Sequence, residues 1–168
     1  MNVRTGGLAA HAFFDAGYPL AVARRNNDGA VDDEFVASVL VGVTNIAFAC
    51  ELAFKVRLFP RTCWPKADGK HDLHLLFSLL VEKERELIEG LTIALYRDGS
   101  DSEYDHDAFA NDLIISRDAF VDIRYWHEYP GKGHRRDARV KFMSCFGSAV
   151  MQWFDITERG HFPEVEFR

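Results

Sequence analysis

Three side chains in the second half of the sequence have types and spacing suited to phosphate chemistry. Arg124, His127 and Glu128 are three and four residues apart, so a helix would place all three on one face. An imidazole can move a proton, a guanidinium can hold a phosphate, and a carboxylate four residues away can pair with that guanidinium. The spacing therefore provides an acid–base group, a cation and an orienting carboxylate.

The stretch around these residues is basic in a chain that is acidic overall. Residues 117–141 contain seven Lys and Arg and four Asp and Glu, whereas residues 68–112 contain four Lys and Arg and twelve Asp and Glu. The whole chain has a net charge of −6. The loop 131–139 follows Tyr125 and Trp126, and single-stranded RNA or a nucleotide phosphate binds to cations beside aromatic rings. A solvated loop between helices is the alternative interpretation, because short charge runs usually lie on exposed surfaces. The candidate RNA-binding residues are Arg117, Tyr125, Lys132, Arg135 and Arg136.

His71 and His74 form a second pair at helical spacing, with Asp72 between them. Two histidines on one helix face could ligate a divalent metal. The sequence has no second pair at ligand spacing, so we expect no metal, and we expect Asp72 or His71 to begin a helix. Asp105 and Asp107 are likewise typical of an acidic helix N-terminus.

The elements that must position these groups are helices. Apolar residues recur at steps of three and four, and β-branched alternation is nearly absent. This pattern predicts an all-α fold, an up-and-down bundle of four to five helices joined by short loops. The predicted helices are Asp32 to Leu58, His71 to Tyr96, Asp105 to Tyr129, Ala138 to Glu158, and one within the first 25 residues that Gly17 and Pro19 interrupt. The charged run 82–86 is either a solvated face or a short connection between two helices.

Composition indicates one globular domain over residues 1–168, with a core at about 32–158. The 168 residues are 48% hydrophobic and 27% charged, which excludes wholesale disorder. Apolar stretches fall short of the roughly 18–20 residues of a membrane span, so we expect none. We also expect no signal peptide, because the first residues lack a basic start followed by an apolar run. Three separated cysteines are typical of reduced thiols, Cys50 and Cys145 being expected in the core. We therefore expect a cytoplasmic protein. The sequence has no nucleophile-elbow, P-loop or dinucleotide motif, so we expect no cofactor.

Three short motifs resemble the HEPN family of helical domains. Residues 47–55 resemble its Glu-Leu-x-x-Lys helix in Glu51, Leu52 and Lys55, and residues 70–73 resemble its Lys-x-His-Asp-Leu helix start. Residues 119–128 resemble its last core helix, which contains Arg-Tyr. The resemblance covers residues 44–130 and implies an HEPN-like bundle in which Glu51 orients Arg124 or His71.

The resemblance also implies a function. HEPN domains are commonly homodimers in prokaryotic toxin–antitoxin and antiviral defence systems, and their active members are metal-independent ribonucleases with an Arg-x(4–6)-His motif. Here Arg124 is followed by His127 after two residues, so the motif is degenerate. We expect a homodimer that binds RNA, a nucleotide, or an antitoxin or other protein partner. The alternatives are an active endoribonuclease whose catalytic residues are Arg124, His127 and Glu128, and a structural module in which Arg124 pairs with Glu128 or Glu51.

Overall fold

Six helices make up the part of the protein that the structure describes. The structure is a computed structural model, and it describes residues 3–22, 33–58, 71–98, 103–119, 121 and 139–159. No strand occurs within these ranges, so the predicted all-α bundle is confirmed, with six helices where four to five were expected. They are α1 Val3–Ala21, α2 Asp33–Leu58, α3 Leu73–Ser78, α4 Glu82–Asp98, α5 His106–Ile115 and α6 Val140–Arg159.

Helix α2 is central, because α1, α3 and α6 all pack against it. Phe13 of α1 meets Phe48 of α2 edge to face, with ring centroids 4.6 Å apart, whereas Ala21 lies against Gly42. As the residue numbers rise along α1, the numbers of the facing residues in α2 fall. The two helices therefore run antiparallel. Helix α6 packs against α4 and α2 and also contacts α1.

The crossing of α1 and α2 depends on two glycines. A Cβ on Gly42 would stand 2.5 Å from the backbone nitrogen of Ala21 and 2.8 Å from the carbonyl oxygen of Gly17. A Cβ on Gly17 would stand 2.7 Å from the carbonyl oxygen of Gly42. The two backbones can approach this closely only because neither position carries a side chain. This close packing favours the helix at Gly17, and α1 continues through both Gly17 and Pro19, where the sequence predicted an interruption.

An aromatic cluster forms the centre of the core. Phe146 of α6 lies within ring-contact distance of four other phenylalanines, with centroid separations of 5.3–6.3 Å. Trp153 is fully buried and meets Phe54 at 5.8 Å. The cluster joins α2, α3, α5 and α6 and consists of Phe54, Phe77, Phe109, Phe142, Phe146 and Trp153.

The predicted helix over 71–96 is two helices. Helix α3 ends at Ser78, and Arg85 donates from Nη1 to the carbonyl oxygens of Ser78 and Leu80, at 3.0 and 3.1 Å. These bonds satisfy carbonyls that a continuing helix would have used. The connection is therefore residues 79–81, and the charged run 82–86 begins α4 instead of joining two helices.

The predicted helix over 105–129 also ends early in its described part. Helix α5 begins at the N-cap Asp105, whose Oδ1 accepts from the backbone of Ala108 at 3.0 Å. It ends at Ile115, a turn follows at 116–118, and Ala119 and Val121 are helical again.

One helix in the described part of the chain is long and apolar enough to cross a membrane. It is the segment Glu34–Leu58 of α2, and a little under half of its most apolar stretch is buried. The expectation that apolar stretches fall short of a membrane span is therefore wrong for this segment, although a core helix of a water-soluble protein has the same length and composition. The absence of a membrane association stays a prediction.

Candidate functional site

A buried carboxylate on α2 is the centre of the candidate site. The side chain of Glu51 is only 2% exposed. Its Oε1 accepts from Nζ of Lys55 one helical turn later, and its Oε2 lies 2.9 Å from Nδ1 of His71. A buried carboxylate is stable when hydrogen-bonded cationic groups compensate its desolvation. Of the two expected partners of Glu51, the contact with His71 is confirmed, and Arg124 lies outside the described residues.

The start of α3 fixes the position of His71. Asp72 is the N-cap of this helix, and its Oδ1 accepts from the backbone nitrogen of Leu75 at 2.8 Å. The backbone nitrogen of Leu73 donates to the carbonyl oxygen of Arg117, also at 2.8 Å. The expectation that Asp72 or His71 begins a helix is thus confirmed, with Asp72 as the cap. These bonds hold His71 between α2 and the segment that follows α5.

The geometry of the Glu51–His71 pair suits acid–base or phosphate-binding chemistry. A carboxylate accepts hydrogen bonds, so the imidazole donates from Nδ1, and this contact sets the direction of its other nitrogen. The side chain of His71 is 42% exposed while that of Lys55 is 13% exposed. The buried carboxylate of Glu51 therefore holds the imidazole of His71 at the surface, and the ammonium group of Lys55 binds to the same carboxylate.

A second buried ion pair holds α2 against α4. Arg57 donates from Nε and Nη2 to Oε1 of Glu84, at 2.7 and 2.6 Å. Their side chains are 14% and 8% exposed. Because α2 carries Glu51, Lys55 and Arg57 in its last two turns, this pair fixes the helix end on which the candidate site stands.

Of the residues predicted to bind RNA, Arg117 lies in the described part of the chain. Its side chain is 56% exposed, and its Nε donates to Oδ2 of Asp118 at 3.0 Å. Its backbone carbonyl also holds the start of α3, so Arg117 adjoins the candidate site through its main chain. The other predicted site residues lie outside the described residues: Arg124, Tyr125, His127, Glu128, Lys132, Arg135 and Arg136.

The remaining histidine and cysteines considered from sequence do not add a reactive group. His74 is exposed on α3, and no group of three His, Cys, Asp or Glu with metal-binding geometry occurs among the described residues. Cys50 is buried, and desolvation raises the pKa of its thiol far above the ordinary range. Burial likewise raises the pKa of the Cys145 thiol. Both sites disfavour the thiolate that a nucleophile needs.

The contact between His71 and Glu51 is the feature of the site that spacing alone did not predict. The available signal was an acidic and a basic residue four positions apart within an apolar helix, and a histidine directly before a helix cap. Neither signal indicates that the end of α2 contacts the start of α3, because Glu51 and His71 are 20 positions apart along the chain.

Comparison with known proteins gives no relative for this chain. No family model, no curated protein and no solved structure matches it.

Proposed function

We propose that this protein is a homodimeric, HEPN-like RNA-binding domain of a toxin–antitoxin or antiviral defence system, with a degenerate nuclease motif. The observation that supports this most directly is the bond from His71 to the buried Glu51. It joins two of the motifs that carry the resemblance, and the Leu73–Arg117 backbone bond joins them to the segment that leads into the third.

In this proposal, the exposed imidazole of His71 contacts RNA at the edge of a larger basic surface. Arg117, Lys132, Arg135 and Arg136 attract the phosphates, and Tyr125 stacks on a base. Lys55 and Glu51 act indirectly, by fixing the imidazole. Binding should weaken as salt concentration rises, because phosphate contacts release condensed counterions.

The experiment that tests this proposal is RNA binding by His71→Ala, with His74→Ala as its matched control. Both histidines flank the start of the same short helix, but the contact with Glu51 belongs to His71. We expect the His71 variant to bind single-stranded RNA about tenfold more weakly, the loss of one charged hydrogen bond, and the His74 variant to bind like the parent. Equal affinity of the His71 variant and the parent would contradict the proposed site.

A ribonuclease activity is tested by incubating the parent protein with total RNA and with tRNA in EDTA. EDTA removes the contribution of metal-dependent contaminants. Cleavage by the parent that is lost in both Arg124→Ala and His127→Ala would support a metal-independent ribonuclease with an unusual Arg–His spacing. RNA that remains intact would leave binding as the function.

A purely structural dimerisation module is the second candidate function, and exposed apolar side chains on α1 and α2 favour it. Leu8 is 65% exposed and Val41 is 51% exposed, with Phe13, Tyr18 and Val22 exposed along the same helix pair. Within residues 5–22 the ionisable side chains are those of His11, Asp15 and Tyr18, so the surface suits a second copy of the chain.

Sedimentation equilibrium tests this dimer. We expect the parent to sediment as a dimer and Leu8→Glu to sediment as a monomer, because the new charge would be buried without a partner. Ile114→Glu is the control, since Ile114 is 51% exposed at the end of α5. A monomeric parent would contradict the module.

A further inference from the structure

Tyr96 in the last turn of α4 has an aromatic ring on one face and an ammonium group on the other. Tyr104, which precedes α5, stacks on it with ring centroids 3.7 Å apart and ring planes 12° apart. Nζ of Lys141, in the first turn of α6, stands 3.9 Å from the centroid of the Tyr96 ring. Since Tyr104 already covers one face at stacking distance, Lys141 covers the opposite face.

Tyr104 is a fixed support for this stack. It is 5% exposed, its hydroxyl donates to Oδ2 of Asp112 at 3.2 Å, and its carbonyl oxygen accepts from Nε of Arg97 at 2.7 Å. Burial, followed by the charge of Asp112, raises the pKa of the Tyr104 phenol above its ordinary range. The phenol therefore stays neutral and keeps donating to Asp112, which also pairs with Arg139 at 3.4 Å.

Lys141, by contrast, is exposed and can leave the ring. Because Lys141 is exposed, its attraction to the half-buried ring of Tyr96 is weak, whereas a nucleic-acid base stacks on the same kind of ring more strongly and without sequence preference. Arg139 ends the basic loop 131–139, so the stack lies where that loop joins α6. Asp98, the last residue of α4, and Glu103, which precedes α5, are also exposed. Because carboxylates repel a phosphate, the ring face distinguishes this place from a simple phosphate site.

We infer that Tyr96 is a stacking position for a base of single-stranded RNA. The base takes the place of the Lys141 ammonium on the ring, and the ammonium then pairs with a phosphate of the same strand. This inference rests on the proposed RNA-binding function and adds to it a second contact on α4.

Binding to two oligonucleotides tests the inference. The probes are fluorescein-labelled oligoadenylate of about ten nucleotides, within the range that a single-strand groove holds, and an abasic oligomer of the same length. We expect Tyr96→Leu to weaken binding of oligoadenylate about tenfold, the loss of one stacked base, and to leave binding of the abasic oligomer unchanged. Tyr96→Phe should keep the parent affinity. Tyr18→Leu is the control for loss of an exposed tyrosine on another helix.

A measurement on the unsubstituted protein does not depend on how Tyr96→Leu folds. The ring current of Tyr96 shifts the ε-methylene proton signals of Lys141 upfield, and Lys141→Arg assigns those signals. Oligoadenylate should abolish this shift, while the abasic oligomer should leave it in place.

The outcomes separate the inference from the proposed function. If the parent binds oligoadenylate but Tyr96→Leu binds it equally well, or if the Lys141 signals keep their shift, the stacking inference is wrong and RNA binding stands. If the parent binds neither oligomer, both are wrong.

Discussion

A single carboxylate holds an ammonium group and an imidazole at the candidate site. Glu51 accepts from Lys55 on its own helix and from His71 on the next segment. The side chains of Glu51 and Lys55 are only 2% and 13% exposed. If the carboxylate were removed, water could therefore replace few of the hydrogen bonds that it accepts. Among the residues of this site, Glu51 therefore contributes most to its stability and geometry.

We expect Glu51→Ala to lower the free energy of unfolding by about 3 kcal/mol, the cost of removing one partner of a buried ion pair. Glu51→Gln should cost less, because its amide oxygen keeps an acceptor for one of the two partners. Urea denaturation measures the change, with Glu86→Ala, exposed on α4, as a control that stays within about 0.5 kcal/mol of the parent. Equal losses in the Glu51 and Glu86 variants would contradict the role of Glu51.

His106 makes a pH-dependent contribution to stability. The hydrogen bond that the imidazole of His106 donates to Glu89, together with the charge of that carboxylate, raises the pKa of His106. A raised pKa means that the folded state favours the protonated form, so the contribution is complete below the unfolded value of about 6.5. It is lost as the pH rises through the folded value. We expect His106→Gln to lower the melting temperature at pH 5.5 and to leave it unchanged at pH 9.

The control for this prediction is His74→Gln, which should melt like the parent at both pH values because His74 is exposed on α3. An NMR titration of the imidazole measures the pKa directly. A His106 pKa at or below that of a free histidine would contradict the assignment.

The candidate site could be predicted from the sequence only in part. The i, i+4 pair of Glu51 and Lys55 and the cap at Asp72 are local, so spacing alone identified them. The contact with His71 depends on how α3 docks on α2, which no local pattern states. The stack of Tyr96, Tyr104 and Lys141 was missed for the same reason, since it joins residues from three separate segments.

At the scale of the elements, periodicity located the long helices and failed where a local bond ends them. Helices α2 and α6 begin and end within two residues of the predicted positions, because their apolar stripes continue from end to end. The pattern from His71 to Tyr96 is equally regular, but the side chain of Arg85 satisfies the carbonyls at the end of α3. Helix α1 shows the opposite error, because close packing overrides the low helix propensity of Gly17.

The close crossing of α1 and α2 gives opposite predictions for two helical glycines. Gly42→Ala should lower the free energy of unfolding by about 1–3 kcal/mol, because its Cβ would meet the backbone of α1 and force the helices apart. Gly90→Ala should raise it by about 0.5–1 kcal/mol, because nothing lies within 4 Å of the new Cβ and alanine favours the helix. Chemical denaturation of both variants checks the signs, and a stable Gly42→Ala would contradict the described crossing.

At the scale of the whole molecule, the aromatic cluster joins four of the six helices. Phe146 contacts rings from α2, α3 and α5 as well as from its own helix. The composition, with 14 Phe, indicated a core rich in aromatic residues but not which helices share it. A cluster of this kind favours cooperative unfolding of the helices that contribute to it.

We expect Phe146→Ala to lower the free energy of unfolding by about 4 kcal/mol, since it removes a large side chain that is fully buried. Phe13→Ala is the matched control, because Phe13 is 36% exposed and meets Phe48 edge to face. It should cost about 1 kcal/mol. Circular dichroism and tryptophan fluorescence should follow one transition in the parent, and separate transitions would show that the helices unfold independently.

The two glycines at the crossing of α1 and α2 also bear on how this sequence can diverge over generations. At most positions, a new side chain is accommodated by new rotamers around it. At positions 17 and 42 the nearest neighbours include backbone atoms of the facing helix, so the first step of any substitution displaces a whole helix. Descendants of this gene are therefore expected to keep both glycines, or to exchange both together with a different angle between the first two helices.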